Sequence, residues 1–310
     1  MDVIIAVDIG GTQTRVSVYP LDDVTPLQQK KTATRTKGGA SLQRVLDAIA
    51  EVWPAGDRVR AIGVALPGPI DPKTGILFAA PNIPGWINLP VRQTIQERFQ
   101  VPVVVGNDAN LAALGEWRYG AGRGHHDLLY LTISTGIGGG VIMNDRLLLG
   151  HRGLATELGH ITVLPDGPLC GCGQRGHLEA LASGTAIAHY VAQELANGTP
   201  CSLPVSPTPT ARDISLAAQA GDELCRQAIA AAASYLGIGV ANYLHVFNPS
   251  IVILGGGVSQ MGDLLFKPMR AGLEQNVISP AYLTDLTITT AALGDDAGLM
   301  GALAYAQTAL

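Results

Sequence analysis

The chain is short of charge. Asp, Glu, Lys and Arg make up 15% of its 310 residues, against roughly 25% in ordinary soluble domains, so a chain held open by self-repulsion is excluded. Lysine is scarcer still: Lys30, Lys31, Lys37, Lys73 and Lys267 are all there are, and the longest basic cluster is the Lys30–Lys31 pair. With 20 basic residues against 25 acidic ones and a net charge of −5, there is no basic stripe of the kind that nucleic acid or an anionic membrane would require. Neither is expected as a partner. No stretch reaches the roughly 18 uninterrupted apolar residues of a membrane span. The opening MDVIIAVDIGG lacks the basic leader of a secretory signal, and the expected location is cytoplasmic.

What is plentiful is glycine (38), proline (19) and hydrophobic residues (47%). A chain of this mass takes roughly three quarters of its surface out of water on folding, enough for two medium lobes. Val3–Asp8 is an apolar run and Thr14–Tyr19 alternates with period two, so the pair reads as a hairpin across Gly10-Gly11. Helical spacing predicts a helix over Gly39–Val52, and Val59–Leu66 and Val101–Val105 read as buried strands. Asn107-Asp108 open an Ala- and Leu-rich helix running to Tyr119. The order strand, glycine turn, strand returns at Leu128–Ile133, Ser134–Gly140 and Val141–Met143, which suggests two related lobes.

Further on, helices are expected at Glu179–Leu195, Glu223–Phe247 and Ala297–Thr308, and strands at Ser250–Leu254 and Leu286–Thr290. The stretch 150–178 and the proline-rich Asn197–Thr210 read as loops. The fold class is α/β. The expected division is 1–118 plus 296–310 for one lobe and 119–295 for the other.

Three strand ends carry glycine clusters: Asp8-Ile9-Gly10-Gly11-Thr12, Ser134-Thr135-Gly136-Ile137-Gly138-Gly139-Gly140 and Gly255-Gly256-Gly257. Such turns let backbone amides approach a phosphate closely. A dinucleotide fold requires a helix after the first of them, but Thr14–Tyr19 has strand periodicity. A P-loop requires Gly-Lys-Ser/Thr, and no lysine lies in a glycine turn. What remains is a nucleotide held by hairpin amides, with a metal ion covering charge that no lysine covers.

These clusters, together with Asn107-Asp108, Glu157-Leu158-Gly159-His160 and Cys170-Gly171-Cys172-Gly173, resemble in order, over nearly the whole chain, the ROK family of sugar kinases and repressors in the actin-like ATPase superfamily. The segment Ala80–Trp86 further resembles the bacterial glucokinases of that family. The resemblance implies two actin-like (RNase H-like) lobes with a nucleotide and sugar cleft between them. It also implies transfer of a phosphoryl group from ATP to the 6-hydroxyl of glucose, with mannose, fructose or N-acetylmannosamine as other acceptors and polyphosphate as another donor. The repressor branch would need a helix-turn-helix ahead of the first glycine turn, which begins at residue 8, and is disfavoured.

Site residues carry over one by one. The resemblance implies Asp108 as the general base; its place after a buried strand, where a helix begins, gives the rigid seat a base needs, although the same place suits a helix cap. For the sugar it implies Gly68, Asn82, Asn107, Asp108, Glu157, His160 and Glu179. For the nucleotide and Mg²⁺ it implies Asp8, Gly10, Gly11, Thr12 and Thr14, with Thr135, Gly136, Gly138, Gly255, Gly256 and Gly257. A homodimer is implied as well.

Cys170 and Cys172, with His160 ten residues before and His177 five residues after, give two sulfurs and two imidazoles. Tetrahedral zinc accepts that set, and a cytosolic chain should not use the cysteines as a disulfide. The family pattern Cys-x-Cys-Gly-x-x-Gly-Cys is departed from at His177, which can still ligate. The expected role is structural. Cys201 and Cys225 have no such neighbours in sequence and read as spectators.

Overall fold

Strand β1 (Asp2–Ile9) is a run of β-branched residues buried from Val3 to Val7, as such side chains favour. It turns through Gly10-Gly11 into β2 (Gln13–Pro20), antiparallel, with Asp8 opposite Arg15. This computed structural model describes residues 1–36 and 39–310; Lys37, weighed above against a P-loop, lies outside them. Beside β2 runs β3 (Gln28–Ala33), whose Gln, Lys and Thr give no alternating apolar signal. It is the edge strand, and exposed lysines there discourage further pairing. A short ribbon, β4 (Arg35–Thr36) and β5 (Gly39–Ala40), leads to α1 (Leu42–Glu51). That helix starts later than the apolar spacing alone suggested because the Ser41 side chain caps it through the Gln43 amide.

The parallel half of this sheet is β6 (Arg58–Leu66) and β10 (Val103–Asn107), giving the order β10-β6-β1-β2-β3. Between them the chain makes a small sheet, β7 (Ile70–Asp71), β8 (Ile76–Ala79) and β9 (Ile87–Leu89), and the helix α2 (Val91–Phe99). From β10 the chain enters α3 (Asp108–Tyr119), and α3 packs against the C-terminal helix, Ala297–Gln307. The two helices touch through glycine. A Cβ on Gly115 would stand 2.7 Å from the Ala297 carbonyl, and one on Gly301 would overlap the Leu111 carbonyl.

The chain divides into two compact units: Met1–His125 with Gly140–Thr156 and Ala292–Leu310, and His126–Gly139 with Glu157–Ala291. The segment 140–156, expected in the second lobe, packs in the first unit instead. There Lys73 Nζ donates to the His151 carbonyl at 3.1 Å, and the Thr156 hydroxyl donates to Asn110 Oδ1 at 2.6 Å.

In the second unit β11 (Leu128–Ile133) runs through the turn closed by the Ser134 amide on the Gly136 carbonyl at 2.8 Å and returns as β12 (Ile137–Met143). That strand leaves the unit after Gly139, and its end, Ile142 and Met143, pairs with β13 (Arg146–Leu147) in the first unit. The single helix expected at Glu179–Leu195 is two, α4 (Leu178–Ala182) and α5 (Gly184–Ala196), divided at Ser183, whose side chain caps α5 through the Ala186 amide. After them come α6 (Ala211–Gln219) and α7 (Glu223–Phe247).

Strand β14 (Ile251–Gly255) lies parallel to β11 on one side and to β15 (Thr287–Thr290) on the other, with α8 (Asp263–Asn276) between β14 and β15 in the chain. Helix α7 is long and apolar enough to cross a membrane by length and composition, but 61% of its apolar window is buried. It packs closely on α8, where a Cβ at Gly272 would stand 2.8 Å from the Ser234 carbonyl.

Candidate functional site

In the first unit the acid implied as base stands at the head of α3. Asn107 caps that helix: its Oδ1 accepts from the amides of Ala109 at 3.0 Å and Asn110 at 3.1 Å, and its Nδ2 donates to the Gly68 carbonyl at 3.3 Å. Capping therefore falls to the neighbour of Asp108. Asp108 is half-buried and its Oδ1 accepts from the Ala109 amide at 2.8 Å, so the carboxylate sits in the positive field of a helix N-terminus. Gly68, Asn107 and Asp108 are thus brought together, but Asn107 has both ends of its amide already engaged.

The first glycine turn follows the C-terminal end of β1, at the same edge of the parallel sheet as Asn107. Gly10 donates to the Gln13 carbonyl at 2.8 Å, closing the turn, while Thr12 stands exposed. The loop carrying Asn82 crosses it so closely that a Cβ on Gly11 would be 3.0 Å from the Asn82 Cβ. Thr14 departs from the expectation. It is 1% exposed and its hydroxyl shares a 2.9 Å hydrogen bond with Thr34, whose own hydroxyl donates to the Gly10 carbonyl. Thr14 braces the turn from behind, because its alternate position in β2 turns the side chain into the core.

Asp8 is not alone. Arg15 Nη2 donates to its Oδ2 at 2.6 Å, Arg15 Nη1 reaches Asp296 at 3.0 Å, and Arg15 also bonds the Asp295 carbonyl. The carboxyl packs over Gly298, where a Cβ would come within 2.9 Å of it. Burial raises the Asp8 pKa and the Arg15 guanidinium works against that rise. Sequence reasoning missed Arg15; its register opposite Asp8 in the hairpin was the available signal.

In the second unit Glu157 and His160 are joined by one turn, the His160 amide donating to the Glu157 carbonyl at 3.0 Å. Tyr243 on α7 fixes that turn through a hydrogen bond to the Leu158 carbonyl. Although Glu157 reaches solvent, the atoms packed about its carboxyl raise its pKa by desolvation; His160 opposes this and Glu179 adds to it. Glu179, at the start of α4, links two features. Its Oε2 accepts from the Ile137 amide at 3.0 Å, directly after the glycine turn, and its Oε1 lies 3.4 Å from Cys170 Sγ.

His160, Cys170, Cys172 and His177 converge, their donor atoms all within 4.8 Å of one another. Cys170 Sγ is 3.7 Å from His160 Nδ1, and Cys172 Sγ is 3.3 Å from His177 Nδ1. A tetrahedral zinc with ordinary Zn–S and Zn–N bonds would separate its sulfur and nitrogen ligands by about 3.6 Å. The donor set fits such an ion in number, type and spacing. Burial, first among several causes, raises the Cys170 thiol to about 11.

Thr135 and Gly257 line one pocket of about 600 Å³. Its other walls are the first turns of α5 (Thr185, His189), the Thr208–Thr210 end of the proline-rich loop, and Arg212 and Gln260. The volume suits a nucleoside-sized ligand. Gly256 closes the strand with φ +80, where a Cβ would collide with the Ile133 backbone. None of the α5, α6 and loop residues was legible in advance, since they belong to ordinary amphipathic helices and a loop read only as surface.

The profile of the ROK family matches residues 4–309. The glucokinase of Thermotoga maritima is 37% identical over 305 residues, covering 96% of this chain and 95% of that one. Among solved structures, a ROK family glucokinase from Streptomyces griseus in complex with glucose and AMPPNP matches with TM-score 0.82 and 37% identity, over 99% of each chain. A ROK family transcriptional regulator, a homologue of the E. coli MLC protein, matches with TM-score 0.88 and 27% identity, over 99% of this chain and 78% of that one. The α/β fold is that of the ROK sugar kinases, and by a match that runs nearly from end to end this chain belongs to the ROK family.

Proposed function

We propose that the chain is an ATP-dependent hexose kinase that phosphorylates the 6-hydroxyl of glucose, with Asp108 as its general base. The observation that carries this reading is the full-length likeness to the Streptomyces griseus enzyme solved with glucose and AMPPNP. A hexose and an adenine nucleotide are the ligand classes that the two sets of residues here suit. By the family resemblance, Gly68, Asn82, Asp108, Glu157, His160 and Glu179 are the residues that would take the sugar hydroxyls. The 600 Å³ pocket beside Thr135 and Gly257 would take the nucleoside.

In the reaction the sugar O6 forms a bond to the γ-phosphorus as the bond from that phosphorus to the β–γ bridging oxygen breaks. The hydroxyl proton passes to Asp108, late, because the transition state is loose. Amides of Gly11, Thr12, Gly136 and Gly256 would offer hydrogen bonds to phosphate oxygens, the Gly10 amide being spent on closing its turn. Magnesium bound with ATP would supply charge neutralisation, and Asp8, held by Arg15, would be the acid that meets it. Zinc on His160, Cys170, Cys172 and His177 would be structural, holding the loop that presents His160 and Glu179.

Three measurements test this. A coupled assay with ATP, Mg²⁺ and a panel of hexoses should give glucose the highest kcat/KM, and inactivity with every hexose would sink the reading. Purified protein should carry one equivalent of zinc that Cys172→Ser removes; metal-free protein of unchanged stability would dismiss the zinc. Light scattering at twice the chain mass would support the homodimer that the family resemblance implies.

A further inference from the structure

Cys201 and Cys225, 24 residues apart in sequence, meet with their sulfurs 3.8 Å apart. One carboxylate holds both segments in place. Asp222, capping α7, accepts from the Cys225 amide at 3.0 Å with Oδ1 and from the Ser202 amide at 2.5 Å with Oδ2. Cys225 is fully buried in the first turn of α7, whereas Cys201 is half-buried in the loop after α5. A disulfide needs sulfurs about 2.05 Å apart, a closure of less than 2 Å that side-chain rotation in the Cys201 loop can supply while Asp222 keeps the backbones aligned.

We propose that Cys201 and Cys225 are an oxidisable thiol pair, converted by peroxide into a disulfide that fixes the Asn197–Thr210 loop to the start of α7. Burial and the adjacent Asp222 carboxylate push the Cys225 thiol upward, which assigns the roles. The sulfur of Cys201, the less buried residue of the pair, attacks a peroxide oxygen; the O–O bond breaks, leaving a sulfenic acid and water. The Cys225 sulfur then attacks the sulfenic sulfur, the S–S bond forms, the S–O bond breaks, and the departing hydroxide takes the Cys225 proton as a second water. In sum two thiols and one peroxide give a disulfide and two waters. The same loop ends in Thr208, Pro209 and Thr210, which line the 600 Å³ pocket, so the cross-link lies on the segment that forms one of its walls.

The test uses the full chain as purified, with its metal, treated with stoichiometric hydrogen peroxide. Non-reducing peptide mapping should find Cys201 joined to Cys225 with a mass loss of about 2 Da. The melting temperature should rise by about 5 °C, as closing a loop of this length implies, and a thiol reductant should reverse it. Cys201→Ser, at the more exposed position, should fold normally and lose both effects. Three results would each overturn the proposal: Cys201 oxidised to sulfinic acid with Cys225 still a thiol, cross-linking confined to Cys170 and Cys172, or loss of a bound metal equivalent in Cys201→Ser. The last would make the trio with Asp222 a metal site instead. These readouts are independent of kinase activity.

Discussion

At the scale of single residues, the division of labour at the head of α3 decides most. Asn-Asp before an apolar helix suits a cap or a catalytic acid, and here Asn107 accepts from both amides of the cap, sharing only that of Ala109 with Asp108. Replacing Asp108 by Asn should therefore lower kcat by at least ~10²-fold, the usual worth of a positioned base. The fold should persist, and glucose affinity by calorimetry should stay within about threefold. Turnover near the wild-type rate would remove Asp108 from the mechanism. Glu157 gives a pH-dependent expectation. Its carboxyl is raised above the ordinary 4.5, chiefly by desolvation, so its contribution to stability is present below that value and is lost as pH rises through the raised folded value. Glu157→Gln should thus gain in melting temperature relative to wild type as pH climbs from about 4.5; a difference that stays flat with pH would refute the assignment.

At the scale of elements, backbone contacts through glycine set the helix positions. Gly301 on the C-terminal helix lies where any side chain meets the Leu111 carbonyl on α3. Gly301→Ala should cost about 1–3 kcal/mol in urea unfolding through overpacking, although alanine is the better helix former. A gain in stability would show that the crossing can relax. Most elements were legible in the sequence because their patterns are strong: Leu128–Ile133 and Glu223–Phe247 have the ends that apolar periodicity gives them. What was not legible shares one cause. β3 is an edge strand without an apolar face, and the break between α4 and α5 rests on one capping serine. The pocket walls come from loop and helix positions brought together only by tertiary packing. Thr14 was misjudged because a motif names residue types but not which face of β2 each occupies.

At the scale of the molecule, part of the high glycine content noted at the outset is explained by position. Glycine sits where helix meets helix and where strand turns back, and backbones approach closely there. The first unit is assembled from three separate stretches of sequence, the last of them Ala292–Leu310. A chain stopped at Ala291 should leave β1, β6 and α3 without the helix that packs on them, and its first unit should show exchange-labile amides throughout the sheet. Native protection there would show that the helix is dispensable. The same arrangement has a consequence in time. At ~5–20 residues per second, the ribosome makes residue 125 roughly 10–30 s before residue 292, and through that interval the apolar face awaiting the final helix has no partner in its own chain. Slow synthesis or a missing chaperone should therefore reduce the yield of this protein more than that of one whose first lobe closes on itself.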